Sequence, residues 1–240
     1  MKSILITGAS SGIGATCARL FLDEGWRVGL LARRAAELEA VADGHENALC
    51  LPADVTDEAA VDAAFDAFTG WAGRIDVLFN NAGAFGTARY IDEMPVTDFR
   101  AIVDLNVTGM FLAARAAFGR MRRQDPQGGR IINNGSISAH VPRAKSVAYT
   151  TTKHAVTGLT RTLSLDGRDF DIACGQIDIG NARTPLLDEA IRSGRAGDQP
   201  QTMHVDHAAR AVLNMATLPP EANVQFMTIM ATKMPYIGRG

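Results

Sequence analysis

Apolar residues follow two rhythms along this chain. Short runs with little polar interruption are Ser3-Ile4-Leu5-Ile6, Arg27-Val28-Gly29-Leu30-Leu31, Ala48-Leu49-Cys50-Leu51 and Ile75-Asp76-Val77-Leu78-Phe79. Between them lie longer stretches in which apolar residues recur with helical spacing. The runs predict central parallel strands covered on both faces, and the recurring pattern predicts helices. Three further strands are predicted at 130–134, 172–179 and 224–230. One helix carries Ile13, Cys17, Leu20 and Phe21 and stops at Gly25. Another opens on Thr56-Asp57-Glu58 and buries Val61, Phe65 and Phe68. The spacing also predicts helices over 35–41, 97–123 and 205–218, and one beginning at Tyr149. The long 97–123 pattern has Asn106 interrupting its apolar stripe. Strands alternating with helices predict a single α/β domain over residues 1–240. Its core would be a doubly wound, seven-stranded parallel sheet flanked by helices on both faces.

Composition narrows the function classes. The chain has 240 residues, 47% of them hydrophobic, and a formal charge of −2, enough for a sizeable core and without the charge excess that favours nucleic acid or anionic membranes. No stretch is expected to reach the ~20 apolar residues of a membrane span, and the apolar start is too short for a signal peptide. Cys17, Cys50 and Cys174 are widely spaced in apolar surroundings. They read as buried free thiols of a reducing, cytoplasmic compartment. His204 and His207 open a helix with no third ligand in evidence, so no metal is expected.

The chemistry gathers at strand ends. After the first strand comes Thr7-Gly8-Ala9-Ser10-Ser11-Gly12-Ile13-Gly14, then a helix. Glycines let a backbone approach a pyrophosphate, and a helix N-terminus offers free N–H groups and positive dipole. The second strand ends in Ala32-Arg33-Arg34, where an NAD site would carry a carboxylate for the ribose 2′-OH. Guanidinium groups there suit a 2′-phosphate, and Arg33 is favoured for it over Arg34. Asp54 follows the third strand, either meeting adenine or capping a turn. Asn80-Asn81-Ala82-Gly83 follows the fourth, where the two amides either bind ribose or hold neighbouring loops. Asn106 either holds a water or bonds a neighbouring backbone.

Tyr149-Thr150-Thr151-Thr152-Lys153 puts a phenol and an ammonium on one helical face. Lowering a tyrosine from near 10 to near 7 takes about 4 kcal/mol. One cation ~4 Å away supplies about that much at an effective dielectric near 20. Desolvation opposes the shift, so the lysine barely suffices and a second cation or hydrogen-bond donors are needed. Ser136 lies thirteen residues before Tyr149, a gap that lets its hydroxyl fold back to the phenol. Between 181 and 201 the chain is polar and Gly-rich, and 185–203 is expected to form a mobile flap over a ligand.

Taken in order, the Gly8–Gly14 loop, Asn80-Asn81-Ala82-Gly83, Asn106, Ser136, Tyr149 with Lys153, and Gly180-Asn181-Ala182-Arg183-Thr184 resemble the short-chain dehydrogenase/reductase family over nearly the whole chain. The resemblance implies a Rossmann fold and an NADP(H)-dependent enzyme that interconverts a carbonyl and a secondary alcohol. Tyr149 would be the general acid/base, Lys153 would lower its pKa and bond the nicotinamide ribose, Ser136 would hold the substrate oxygen, and Asn106 would position a water. Gly8, Ser10, Ser11, Gly12, Ile13 and Gly14 would cradle the cofactor with Arg33, Arg34, Asp54, Val55, Asn81, Ala82, Gly83, Gly180 and Thr184. Asp54 would meet adenine, Asn81 the adenosine ribose and Thr184 the carboxamide. A homodimer or homotetramer is implied, with no nucleic-acid or membrane partner. The chain departs from the family at Ile179-Gly180, where Pro-Gly is usual, and at its C-terminal end. A nucleotide-sensing binding protein, or a dehydratase or epimerase, would use the same fold. The pocket is expected to include Phe85, Ser138, His140, Val141 and Arg143.

Overall fold

The computed structural model describes residues 1–192 and 201–237. Its elements run β1 (Ser3–Thr7), α1 (Gly12–Asp23), β2 (Arg27–Ala32), α2 (Ala35–Ala42), β3 (Ala48–Pro52), α3 (Glu58–Ala72), β4 (Val77–Asn80), α4 (Val96–Val103), α5 (Gly109–Met121), β5 (Gly129–Asn134), α6 (Val147–Asp166), β6 (Ile172–Gly180), α7 (Pro185–Arg192), α8 (Val205–Thr217) and β7 (Phe226–Met230). The strands form one sheet in the order β3-β2-β1-β4-β5-β6-β7, with every neighbouring pair parallel. The order reverses between β1 and β4, and ligands of such sheets bind in the crevice outside the strand ends at that point.

The uninterrupted apolar runs serve two cores. Ile4 and Ile6 pack with Cys17 and Phe21 of α1, Leu38 of α2 and Val212 of α8 on one face. Leu5, between them, joins Phe65 and Phe68 of α3 and Leu112 and Ala113 of α5 on the other. Alternation on a strand sends neighbours to opposite faces, so a strand covered twice must be apolar throughout.

The 97–123 pattern is not one α-helix. Asp104–Thr108 forms a wider π turn between α4 and α5, and the Gly109 amide bonds back to the Asp104 carbonyl. Two contacts explain it. Asn106, only 1% exposed, pairs with the Ala84 backbone. Gly109 takes Val55 against its backbone, where a methyl group would stand 2.8 Å from Val55 Cγ2. By length and composition the combined rod Val96–Met121 is also long and apolar enough to cross a membrane, contrary to the sequence expectation. Its inner face, including Met110, Leu112, Ala113 and Ala117, is buried in the protein's own core.

The thiols of Cys17 and Cys174 are buried, but Cys50 is only half-buried, which corrects the expectation for it. Burial pushes Cys174 up to about 12; burial and then Glu39 push Cys50 up to about 11. These thiols stay protonated and are poor nucleophiles. His204 caps α8 through its own ring, Nδ1 accepting from the Asp206 amide, so it acts as the helix start that the sequence suggested.

Candidate active site

A cleft of about 340 Å³ opens at the reversal point and runs from the β1–α1 loop to the start of α6. At one end, Gly8 and Gly12 hold positive φ of 68° and 55°. Ser11 precedes α1 in extended backbone and makes no side-chain cap, which leaves the first helical N–H groups available to an anion. Gly12 and Ile13 face the cleft, whereas Gly14 lies behind it. A methyl group on Gly14 would overlap the Gly8 carbonyl and stand 2.7 Å from Asn81 Nδ2. Gly14→Ala is therefore expected to destabilise the fold by about 1–3 kcal/mol and to weaken nucleotide binding. Thermal denaturation and fluorescence titration test this; unchanged values for both would refute it.

Arg33 and Arg34 stand beside this loop with 75% and 55% of their side chains exposed. Arg34 donates to Ser10 Oγ at 3.1 Å and pairs with Glu37 at 3.1 Å. Arg33 lies 4.0 Å from Asp54. Asp54 itself caps a turn, Oδ1 accepting from the Thr56 amide at 3.0 Å and hydroxyl at 2.8 Å. The Thr56 amide, its hydroxyl and the Arg33 charge hold the carboxyl below its usual range against partial burial.

The asparagines act as braces. Asn80 donates to the Met110 carbonyl at 2.7 Å. Asn81 donates to the Thr7 carbonyl at 2.9 Å and accepts from Asn134 Nδ2 at 2.8 Å. The ends of β1, β4 and β5 are thereby locked, and the Asn81 side chain is occupied where the family resemblance had it meeting ribose. Asn106 likewise bonds Ala84 N, Ala84 O and Thr152 Oγ1 at 2.9, 2.9 and 3.1 Å. Its amide is engaged with protein partners through these bonds.

At the other end, Ser136, Tyr149 and Lys153 converge. Ser136 and Tyr149 line the same wall of the cleft, where the serine acts to lower the pKa of the phenol, and the tyrosine ring meets Phe85 edge-on at 4.9 Å. Lys153 is 4% exposed; its Nζ donates to the Asn134 carbonyl at 2.7 Å and stands 5.5 Å from the centroid of the Tyr149 ring. The run of threonines has a structural cause: Thr152 is fully buried and ties α6 to Asn106, and Thr150 bonds Ser146 at 2.8 Å. The electrostatics differ from the sequence arithmetic. Burial raises the Tyr149 pKa and outweighs the Ser136 bond and the Arg143 charge, which lower it; Asp178 adds to the rise. Lys153 is not among the groups that lower it. Burial brings the ammonium itself down to about 8, partly opposed by Asp178.

Gly8, Ser10, Ser11, Gly12, Ile13, Arg33, Arg34, Asp54, Val55, Asn81, Ala82, Gly83, Ser136, Tyr149, Lys153 and Thr184 all line the one cleft. Gly14, Asn106 and Gly180 do not. Gly180 packs against Met230, Met234 and Ile137, and the turn after it is made by Asn181 at φ 52°. Thr184 caps α7, its hydroxyl accepting from Leu187 N at 3.2 Å. Of the expected pocket residues, Phe85, Ser138 and Arg143 line the wall, whereas His140 and Val141 do not. The expected flap begins with α7, which puts Leu186 and Leu187 on the cleft. Its base is closed by a bridge between Ala182 and Met203, and its 193–200 portion lies outside the described residues. Asn134 and Asp178 were missed from sequence. The available signal was a polar residue inside or ending an apolar strand.

A doubly wound parallel sheet with a glycine loop at its reversal point defines an α/β protein of the Rossmann class. The short chain dehydrogenase profile matches residues 2–194, and the chain belongs to that family. It is 37% identical over 202 residues to the 2-(R)-hydroxypropyl-CoM dehydrogenase of Xanthobacter autotrophicus, covering 81% of this chain and 80% of that one. It is 34% identical over 188 residues to the L-fucose dehydrogenase of Oryctolagus cuniculus, covering 78% of this chain but 65%, just under two thirds, of the relative. Among solved structures, 3-ketoacyl-(acyl-carrier-protein) reductase from Brucella melitensis complexed with NADH superposes with a TM-score of 0.87 at 28% identity, covering 96% and 97% of the two chains. ElxO with NADP bound superposes with a TM-score of 0.85 at 27% identity and the same coverage.

Proposed function

We propose that this protein is an NADP(H)-dependent oxidoreductase that reduces a ketone or aldehyde, or oxidises a secondary alcohol, by hydride transfer. The observation that carries the reading is one cleft with anion-binding groups at one end and proton-handling groups at the other. The uncapped start of α1 and the two guanidinium groups suit a phosphorylated dinucleotide; the hydroxyls of Ser136 and Tyr149 on one wall, with Lys153 beside them, suit a carbonyl oxygen. Bound nicotinamide supplies or accepts the hydride. Tyr149 gives its proton to the carbonyl oxygen in reduction and takes it back in oxidation. Ser136 holds the same oxygen. Lys153, anchored on Asn134, keeps two further N–H donors for ribose hydroxyls and for the proton path.

Preference for NADP rests on Arg33 and Arg34, and it is supported by the NADP-bound neighbour, although another neighbour carries NADH. A charged hydrogen bond worth ~1.5–3 kcal/mol corresponds to roughly a 10- to 150-fold preference. Arg33→Asp is expected to weaken NADPH binding by that factor and NADH binding far less. Fluorescence titration with both cofactors tests it, and equal losses would sink the assignment. Phe111 and Leu165 are 48% and 59% exposed on α5 and α6, which supports a homo-oligomer formed through those helices. The three unpaired thiols suit a reducing cytoplasm.

A further inference from the structure

The Asp178 carboxylate has no exposed surface, and nothing in the proposed chemistry uses it. A buried charge is expensive unless it is paired and hydrogen-bonded. Oδ1 accepts from the Ser136 amide at 2.7 Å and from Gln176 Nε2 at 2.8 Å. Oδ2 meets His140 Nε2 at 2.8 Å. The turn after β5 is shaped around it: a methyl group on Gly135 would overlap the carboxylate and stand 2.6 Å from the Gln176 amide nitrogen. His140 itself is 42% exposed at its side chain, so the ring on Oδ2 reaches the surface. Among the described residues, Tyr149 and Lys153 on α6 feel the Asp178 charge, and Arg143, on the loop before α6, acts on Tyr149 from another side.

We propose that Asp178 is a positioning residue for Ser136, Tyr149 and Lys153, and that His140, its partner at the surface, sets how much of the Asp178 charge those groups feel. The inference rests on the reading of Tyr149 and Ser136 as the proton-handling pair. Through the Ser136 amide the carboxylate fixes where that hydroxyl points. Its negative charge makes the phenol hold its proton and favours the charged ammonium. A neutral imidazole leaves that charge to its two N–H donors alone, whereas an imidazolium offsets it and lets the phenol release its proton more readily. Histidine is the side-chain type that changes charge across ordinary pH.

The test reads Tyr149 directly. The chain has only three tyrosines, Tyr90, Tyr149 and Tyr236, so subtracting the near-ultraviolet titration of a Tyr149→Phe variant isolates the Tyr149 transition. In Asp178→Asn that transition is expected to fall by on the order of one pH unit. His140→Arg, which keeps the carboxylate but gives it a permanent cation, is expected to move it in the same direction. A purely structural role predicts no movement in either, because asparagine still accepts from the Ser136 amide. An unmoved transition in both variants overturns the proposal. If Asp178→Asn does not fold, His140→Arg decides alone. The titration needs no substrate, so a lack of turnover across a carbonyl panel would sink the oxidoreductase reading and leave this result standing.

Discussion

Tyr149→Phe is expected to lower turnover by about 10²- to 10⁴-fold while NADPH still binds. The measurement is a carbonyl and alcohol screen on the wild type, then kcat and a cofactor fluorescence titration on the variant. The substitution removes only the hydroxyl. The ring contact with Phe85 and the helix around it survive, so a folding defect is not expected. What disappears is the proton donor beside Ser136. Burial makes the phenol harder to ionise than a free one. Turnover within a few-fold of wild type, with NADPH binding intact, would mean that another group handles the proton.

Asn106→Ala is expected to destabilise the protein by about 3 kcal/mol, since it orphans a partly buried amide and carbonyl of Ala84 and removes a donor to Thr152. Turnover should fall as well, because the 82–85 loop carries Phe85 against Tyr149. Chemical denaturation and steady-state kinetics read the two effects. Loss of activity with no loss of stability would point instead to a role for the amide in the chemistry itself.

The doubly wound sheet was legible because two-sided burial leaves a plain mark: Ile4, Leu5 and Ile6 must all be apolar when both faces are covered. The cleft was legible for a related reason. In such a sheet the strand ends meet in one place, so Ser136 and Tyr149 could be placed together from topology. What stayed hidden depended on partners far apart in sequence. The π turn exists because Asn106 reaches Ala84 and Val55 presses on Gly109, and neither contact has a local sequence mark. The bracing by Asn81 depends on Thr7 and Asn134, residues 74 and 53 positions away. The sign of the Tyr149 shift turned on depth within the fold, which spacing along a helix does not report.

The short bridge joining Ala182 to Met203, with the Asn181 side chain bonded to the Gln201 carbonyl at 3.0 Å, ties off the stretch between them at its neck. Closing a loop grows harder only slowly as it lengthens. Insertions or exchanges beyond that neck should therefore leave β6 and the proton-handling groups undisturbed. Selection could in this way reshape what the cavity accepts as if changing a cassette, while the reaction machinery is inherited intact.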